Sequence, residues 1–117
     1  MERGRILILG QSKESTYEIR NLLDHRNYEL EIALSREVGK SILAQRHMSL
    51  LILHTEALDG ETSEFFEFLE DRGIDIPVFV LGAEAKRLGE SLPSRGAVKC
   101  FEKPYPVEEM ISDIKAL

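Results

Sequence analysis

The feature that most constrains the fold is a set of short, continuous apolar runs. Three of them are Arg5–Leu9 (RILIL), Leu50–Leu53 (LLIL) and Pro77–Leu81 (PVFVL). Runs of this length that lack alternating polar residues predict β-strands covered on both faces. Such strands are typical of a parallel sheet that has helices packed on either side, so a sheet with one face in water is not expected.

Segments with a helical period separate these runs. Helices are predicted over 12–26, 36–46, 61–72, 83–92 and 107–117, and two further strands over 28–32 and 98–102. Ser35 is the expected N-cap of the second helix, and Gly73 is the expected end of the third. The apolar residues expected on the inward faces are Tyr17, Ile19, Leu22, Leu23, Val38, Ile42, Leu43, Met110, Ile111 and Ile114.

Five strands that alternate with five helices predict an α/β fold. Parallel strands require right-handed crossovers, so the helices cover both faces of a five-stranded, doubly wound sheet. This is the flavodoxin-like three-layer sandwich. A chain of 117 residues can bury roughly two thirds of its unfolded surface as one unit, so residues 1–117 are expected to form a single domain.

Charge and composition exclude several classes of function. The formal net charge of −6 comes with no cluster of lysine or arginine, which opposes binding to a nucleic-acid backbone. No apolar run approaches the ~20 residues that span a bilayer, so no membrane association is expected. The lone cysteine, Cys100, cannot form an internal disulfide, which fits a cytoplasmic location.

Four loops are expected to meet at the carboxyl edge of the sheet. They contain Gly10 and Gln11 after the first strand, His54 to Gly60 after the third, Gly82 after the fourth, and Lys103 after the fifth. In open parallel sheets, ligands and chemistry occur at this edge. His54 therefore occupies the position at which such a domain normally places a reactive residue.

The order and spacing of these segments resemble the receiver domain of bacterial two-component response regulators. The resemblance covers essentially the whole chain. It rests on RILIL, LLIL ending at position 54, LDG soon after it, PVFVLGA, RGA and the triplet Lys103-Pro104-Tyr105. It implies a non-enzymatic regulatory domain, expected to be the amino-terminal part of a longer regulator.

The resemblance also shows which of the family's site residues this chain has lost. Receivers have an acidic pair that holds a divalent metal, an acceptor aspartate, a serine or threonine, a switching aromatic residue and a lysine. The matching positions are Gly10 and Gln11, His54, Gly82, Cys100 and Lys103, with Pro104 at a peptide bond that is cis in the family. Only the lysine is kept.

These losses predict a receiver-like domain that is not phosphorylated and has no cofactor. Mg²⁺ prefers carboxylate oxygens, which the expected positions do not supply. Two alternatives remain open: phosphorylation of a displaced acidic residue, Asp59 or Glu56, and a small-ligand sensor that uses the emptied pocket beside Lys103 and His54. A phosphoryl group on His54, and a metal site built from His25, His47 and His54, are less favoured because no suitable partner or ligand spacing is evident.

The expected partners are proteins, either an effector domain in the same chain or a second copy. Phe65, Phe66 and Phe68 cannot all face inward from one helix, so one of them is a candidate for an interaction surface. The other candidate surface is Tyr105 and the last helix, which carries the acidic pair Glu108 and Glu109.

Overall fold

Five parallel strands form one sheet in the computed structural model, which describes residues 4–22, 28–58, 61–82, 85, 98–102 and 106–115. The sheet has the order β2-β1-β3-β4-β5, so β3 is central. This confirms the predicted fold class. The strands are β1 (Gly4–Leu9), β2 (Tyr28–Ala33), β3 (Leu50–His54), β4 (Val78–Leu81) and β5 (Val98–Phe101).

Four described α-helices connect these strands or follow them. They are α1 (Lys13–Leu22), α2 (Arg36–Gln45), α3 (Thr62–Asp71) and α4 (Val107–Lys115), and a short 3₁₀ helix (Thr55–Leu58) follows β3. The sequence patterns did not predict the 3₁₀ helix. The helix expected over 83–92 lies outside the described residues except for Ala85, which is buried. No helix in the described ranges is long and apolar enough to cross a membrane.

Each face of the sheet has its own apolar core, because successive side chains of a strand point to opposite faces. On β3, Leu51 and Leu53 join the core under α2 and α3, whereas Leu50 and Ile52 join the core under α1 and α4. All four of these side chains are at most 1% exposed. The continuous apolar run therefore marks a strand buried on both faces, as predicted.

One position on the inward face of α1 differs from the expectation, while Ile19 is buried as predicted. Tyr17 was expected to face inward, but it is 44% exposed and packs beside the Arg20 guanidinium instead. The buried position next to it is Thr16, whose hydroxyl donates to the carbonyl oxygens of Ser12 and Lys13. Because this hydrogen bonding satisfies the hydroxyl, a polar residue can replace an apolar one on the buried face.

The inward face of α2 also differs. Val38 was expected to be buried and is 49% exposed, whereas Gly39 and Leu43 are buried. A Cβ atom at Gly39 would lie 3.1 Å from a methyl group of Leu9, so the glycine lets α2 lie close to β1. A glycine adds no apolar side chain, so the sequence pattern wrongly placed Val38 on the buried face, whereas Leu43 and the partly buried Ile42 pack inward as predicted.

Helix ends agree better with the expectations. The Ser35 hydroxyl accepts a hydrogen bond from the Val38 amide and caps α2. At the end of α3, Gly73 adopts a φ of 65° and donates to the Glu70 carbonyl, while Ile74 donates to the Leu69 carbonyl. This is a Schellman ending, in which glycine accommodates the left-handed backbone.

The three phenylalanines of α3 separate as predicted. Phe65 and Phe66 are fully buried, and Phe68 is partly buried. The ring of Phe68 lies beside the Lys40 ammonium at 5.3 Å and the Arg72 guanidinium at 5.6 Å. Phe68 therefore links α2 to α3 at the surface.

Candidate functional site

The candidate site is the carboxyl edge of the sheet, where β3 ends at His54. Leu9 pairs with Leu53 on one side, and Leu81 pairs with His54 on the other. The chain continues the ladder past the strand ends, because the Gly10 amide donates to the Ala33 carbonyl and the Gly82 amide donates to the Phe101 carbonyl. Gly10, His54 and Gly82 therefore lie at one edge, as the sequence predicted.

His54 is a buried imidazole with a local hydrogen bond. It is 6% exposed, and its Nδ1 atom lies 3.4 Å from the Glu56 amide nitrogen, which donates to it. An Nδ1 atom that accepts a hydrogen bond carries no proton, so the neutral ring carries its proton on Nε2. A Glu56 carboxylate oxygen lies 3.8 Å from the same Nδ1 atom, and this side chain is 54% exposed.

Thr55 and Gly82 interlock between the loops that follow β3 and β4. Gly82 has a φ of 144°, a region that residues with a side chain rarely adopt. A Cβ atom built there would lie 2.2 Å from the Thr55 hydroxyl oxygen. The Thr55 side chain therefore fills the space that a side chain at position 82 would occupy. Sequence reasoning missed Thr55, although its position directly after β3 placed it at this edge.

The described side chains at the matched positions of this edge do not supply the carboxylates that a magnesium ion prefers. Of the two positions matched to the acidic pair, Gly10 has no side chain and Gln11 offers an exposed amide. His54 offers a nitrogen, whereas Mg²⁺ prefers oxygen ligands that include carboxylates. Over the part of the chain that the structure describes, no group of three or more His, Cys, Asp or Glu side chains could hold a metal ion.

The histidines do not come together among the described residues. His47 is exposed and precedes the amino end of β3, whereas His54 closes its carboxyl end. His25 lies outside the described residues. The three-histidine metal site that was disfavoured from the sequence thus has two of its members at opposite edges of the sheet.

Cys100 lies on β5, opposite Val80 of β4, and is partly buried against the core under α2 and α3. Burial raises the pKa of its thiol, and the charge of Glu102 adds to the effect. A raised thiol pKa disfavours the reactive thiolate. The remaining candidates, Lys103, Pro104, Asp59 and Tyr105, lie outside the described residues.

A cavity of about 500 Å³ lies at the opposite, amino edge of the sheet, between the ends of α2 and α3. Its charged lining side chains are Arg46, Arg72 and Asp75, together with the exposed His47. Arg46 forms an ion pair with Glu31, and both arginines follow helix carboxyl ends, which favour cations. These charges largely offset one another, so the cavity has no clear preference for an anion or a cation.

Comparison with known proteins finds matches among solved structures only. No protein-family profile matches the sequence, and no curated protein matches it. Solved structures do match, among them the signal receiver domain of an HD domain-containing protein from Pseudomonas fluorescens Pf-5. That match has a TM-score of 0.80 and 18% identity, and it covers 98% of this chain and 94% of the other.

Two further matches have the same character. A CheY-like response regulator receiver domain from Methanospirillum hungatei JF-1 gives a TM-score of 0.79 and 21% identity over 98% of this chain and 93% of the other. Full-length FixJ from B. japonicum gives 0.79 and 19% over 98% of this chain and 59% of FixJ. This chain therefore has the fold of response regulator receiver domains, as the sequence resemblance implied.

Proposed function

We propose that this chain is a receiver-type regulatory domain of two-component signalling that does not accept a phosphoryl group, is not an enzyme and acts through protein contacts. The observation that carries the proposal is the buried His54 at the end of the central strand, hydrogen-bonded to the Glu56 amide. A phosphoryl group needs an acceptor and cationic charge at this edge.

The absence of carboxylates at the matched positions supports the same conclusion. Gly10 and Gln11 provide no anionic oxygen for a metal ion that would neutralise a transferring phosphoryl group. Gly82 provides no hydroxyl of its own, and the space at that position is filled by Thr55. At the described matched positions, the edge therefore offers neither an acidic pair for a metal ion nor a free hydroxyl at position 82.

A role in protein contacts fits the intact scaffold and the surface. The full-length FixJ match extends well beyond the region that this chain covers, which supports an effector domain as a partner in the same polypeptide. A second copy of the chain is the other candidate partner. The net charge of −6 does not favour binding to nucleic acid, and a cytoplasmic location is part of the proposal.

The test is incubation of the purified chain with Mg²⁺ and acetyl phosphate, followed by intact-mass spectrometry. The expected result is an unchanged mass. A phosphorylatable receiver treated in parallel is the positive control, and it must gain one phosphoryl group. A stable gain of one phosphoryl group on this chain would overturn the proposal.

The exposed carboxylate of Glu56 favours one alternative, a displaced acceptor, because it lies beside His54 at the correct edge. Asp59 is the other residue in this alternative. If the mass does increase, peptide mapping with Glu56→Gln and Asp59→Asn variants identifies the acceptor. A small-ligand sensor remains a separate alternative. Ligand-dependent stabilisation of the unmodified chain would reveal it.

A further inference from the structure

We propose that His54 and Glu56 form a proton-dependent hydrogen-bond switch that controls the turn after β3. The inference concerns two hydrogen-bonded states of one turn and does not depend on the proposed signalling role. It rests on two distances: 3.4 Å from Nδ1 of His54 to the Glu56 amide nitrogen, and 3.8 Å from the same Nδ1 atom to a Glu56 carboxylate oxygen.

In the neutral state, Nδ1 is the acceptor and the Glu56 amide is the donor. Protonation places a hydrogen on Nδ1, so this atom can no longer accept and becomes a donor. The Glu56 amide then faces a second N–H group and loses its partner. The same residue provides the replacement, because its carboxylate is an anionic acceptor already close to Nδ1.

The Glu56 side chain can make this exchange because it is 54% exposed. A movement of about 1 Å would bring the carboxylate oxygen to the length of a charge-assisted hydrogen bond. Between about pH 8 and about pH 5, a glutamate side chain is ordinarily a carboxylate, whereas an imidazole ordinarily gains a proton as the pH falls. The exchange therefore requires only a proton.

The turn connects this exchange to the neighbouring loop. Glu56 is the second residue of the 3₁₀ helix Thr55–Leu58, so a change at its amide affects the start of that helix. Thr55 precedes it and fills the space above Gly82. Ala57, which follows, is buried in the core under α2 and α3. Protonation of His54 thus changes the surface formed by the loops after β3 and β4.

Other charged groups at this edge influence the midpoint of the transition. From β1, Gly10 and Gln11 do not ionise, and Lys13 at the start of α1 is the next charge. From β4, Leu81 and Gly82 do not ionise. From β5, Glu102 follows the strand directly, while Lys103 and Asp59 belong to the same edge in the sequence and lie outside the described residues.

The test is an NMR titration of the whole chain from about pH 8 to about pH 5, following backbone amides and histidine rings. The amides of Glu56, Thr55 and Gly82 should change with the same midpoint as the His54 ring. The Gly73 amide, at the opposite edge, is the reference and should not change with the His54 ring. A Glu56 amide that does not follow the His54 ring would overturn the proposal.

Two variants sharpen the result. Asparagine in His54→Asn places an oxygen near the position of Nδ1, so the Glu56 amide should stay bonded and the transition should disappear. Glu56→Gln keeps the amide donor but removes the carboxylate, so the midpoint should move to lower pH. An unchanged midpoint in Glu56→Gln would contradict the switch. This exposed substitution also carries the test if His54→Asn does not fold.

No phosphoryl donor or binding partner is present in this experiment. A failed switch would therefore leave the mass-spectrometric test of the proposed function untouched, and a phosphorylated chain could still show the switch.

Discussion

The two edges of the sheet each contain a glycine with a positive φ, but the two glycines have opposite surroundings. At the carboxyl edge, the space above Gly82 is filled by Thr55, and at the amino edge, no atom lies within 4 Å of a Cβ placed on Gly73. Gly82 is buried and Gly73 is exposed. The same residue type thus serves close packing at one edge and backbone geometry alone at the other.

The charged groups follow the same division. The described carboxyl edge contains a buried imidazole, neutral residues directly after β1 and β4, and the carboxylates of Glu56 and Glu102. The amino edge contains an open cavity with Arg46, Arg72 and Asp75 in its lining. Phosphoryl transfer in this fold would need cationic charge at the carboxyl edge. The described part of that edge is closely packed, whereas the open cavity with arginines lies at the amino edge.

Substitution of Gly82 by alanine is expected to have the largest effect. The new Cβ would overlap the Thr55 hydroxyl, and the backbone would be held at a φ that alanine rarely adopts. Overpacking and backbone strain each cost 1–3 kcal/mol, so the free energy of unfolding should fall by about 4 kcal/mol. Chemical denaturation of wild type and variant measures this difference.

A double-mutant cycle separates the two causes. Thr55→Ala removes the hydroxyl and the methyl group, so it should relieve the overlap but not the strain. The Gly82→Ala and Thr55→Ala changes should therefore couple by about 1–2 kcal/mol. If the two effects are additive, the interlock described here is wrong.

Substitution of His54 by aspartate tests whether the acceptor alone can restore a receiver site. The carboxylate would be buried where the imidazole is 6% exposed, and it would lie near the Glu56 carboxylate. A buried carboxylate beside a second carboxylate should lower the free energy of unfolding by about 2 kcal/mol. Mg²⁺ should not recover this loss, because no second carboxylate is present at the matched positions.

The matched control adds one carboxylate at an exposed position. In the Gln11→Asp/His54→Asp variant, two carboxylates approach from β1 and β3, so Mg²⁺ should raise the melting temperature of this variant but not that of wild type. Thermal denaturation with and without Mg²⁺ gives the result. Stabilisation of wild type by Mg²⁺ would show that the present side chains do bind the ion.

At the amino edge, Gly73→Ala should have a smaller effect. No atom obstructs the new Cβ, so only the left-handed backbone at a φ of 65° opposes it. The expected loss is about 1 kcal/mol. A loss as large as that of Gly82→Ala in the same denaturation experiment would remove the distinction between the two edges.

The sequence predicted the sheet well because burial on both faces leaves a direct signal: a strand such as Leu50–Leu53 must be apolar throughout. It placed Val38 and Tyr17 wrongly because Gly39 and Thr16, which lie on the buried faces, do not look apolar. The site positions could be located from strand ends, but the contacts of His54 with Glu56 and of Thr55 with Gly82 depend on side-chain and backbone angles that no sequence pattern records.

The smallest effect is expected at Cys100, which tests whether the side of the sheet near β5 also disfavours charge. Burial and the charge of Glu102 raise the pKa of this thiol above its ordinary value of 9.0. The unfolded chain therefore loses the thiol proton at a lower pH than the folded chain does. The free energy of unfolding is unaffected below about pH 9 and falls as the pH rises from there towards the pKa of the thiol in the folded chain. The free energy of unfolding of wild type should decline more steeply than that of Cys100→Ala across this range, while lysines and tyrosines contribute equally to both. Parallel declines would mean that the thiolate is tolerated at this position, and alkylation of Cys100 at neutral pH would then be as fast as that of a free thiol.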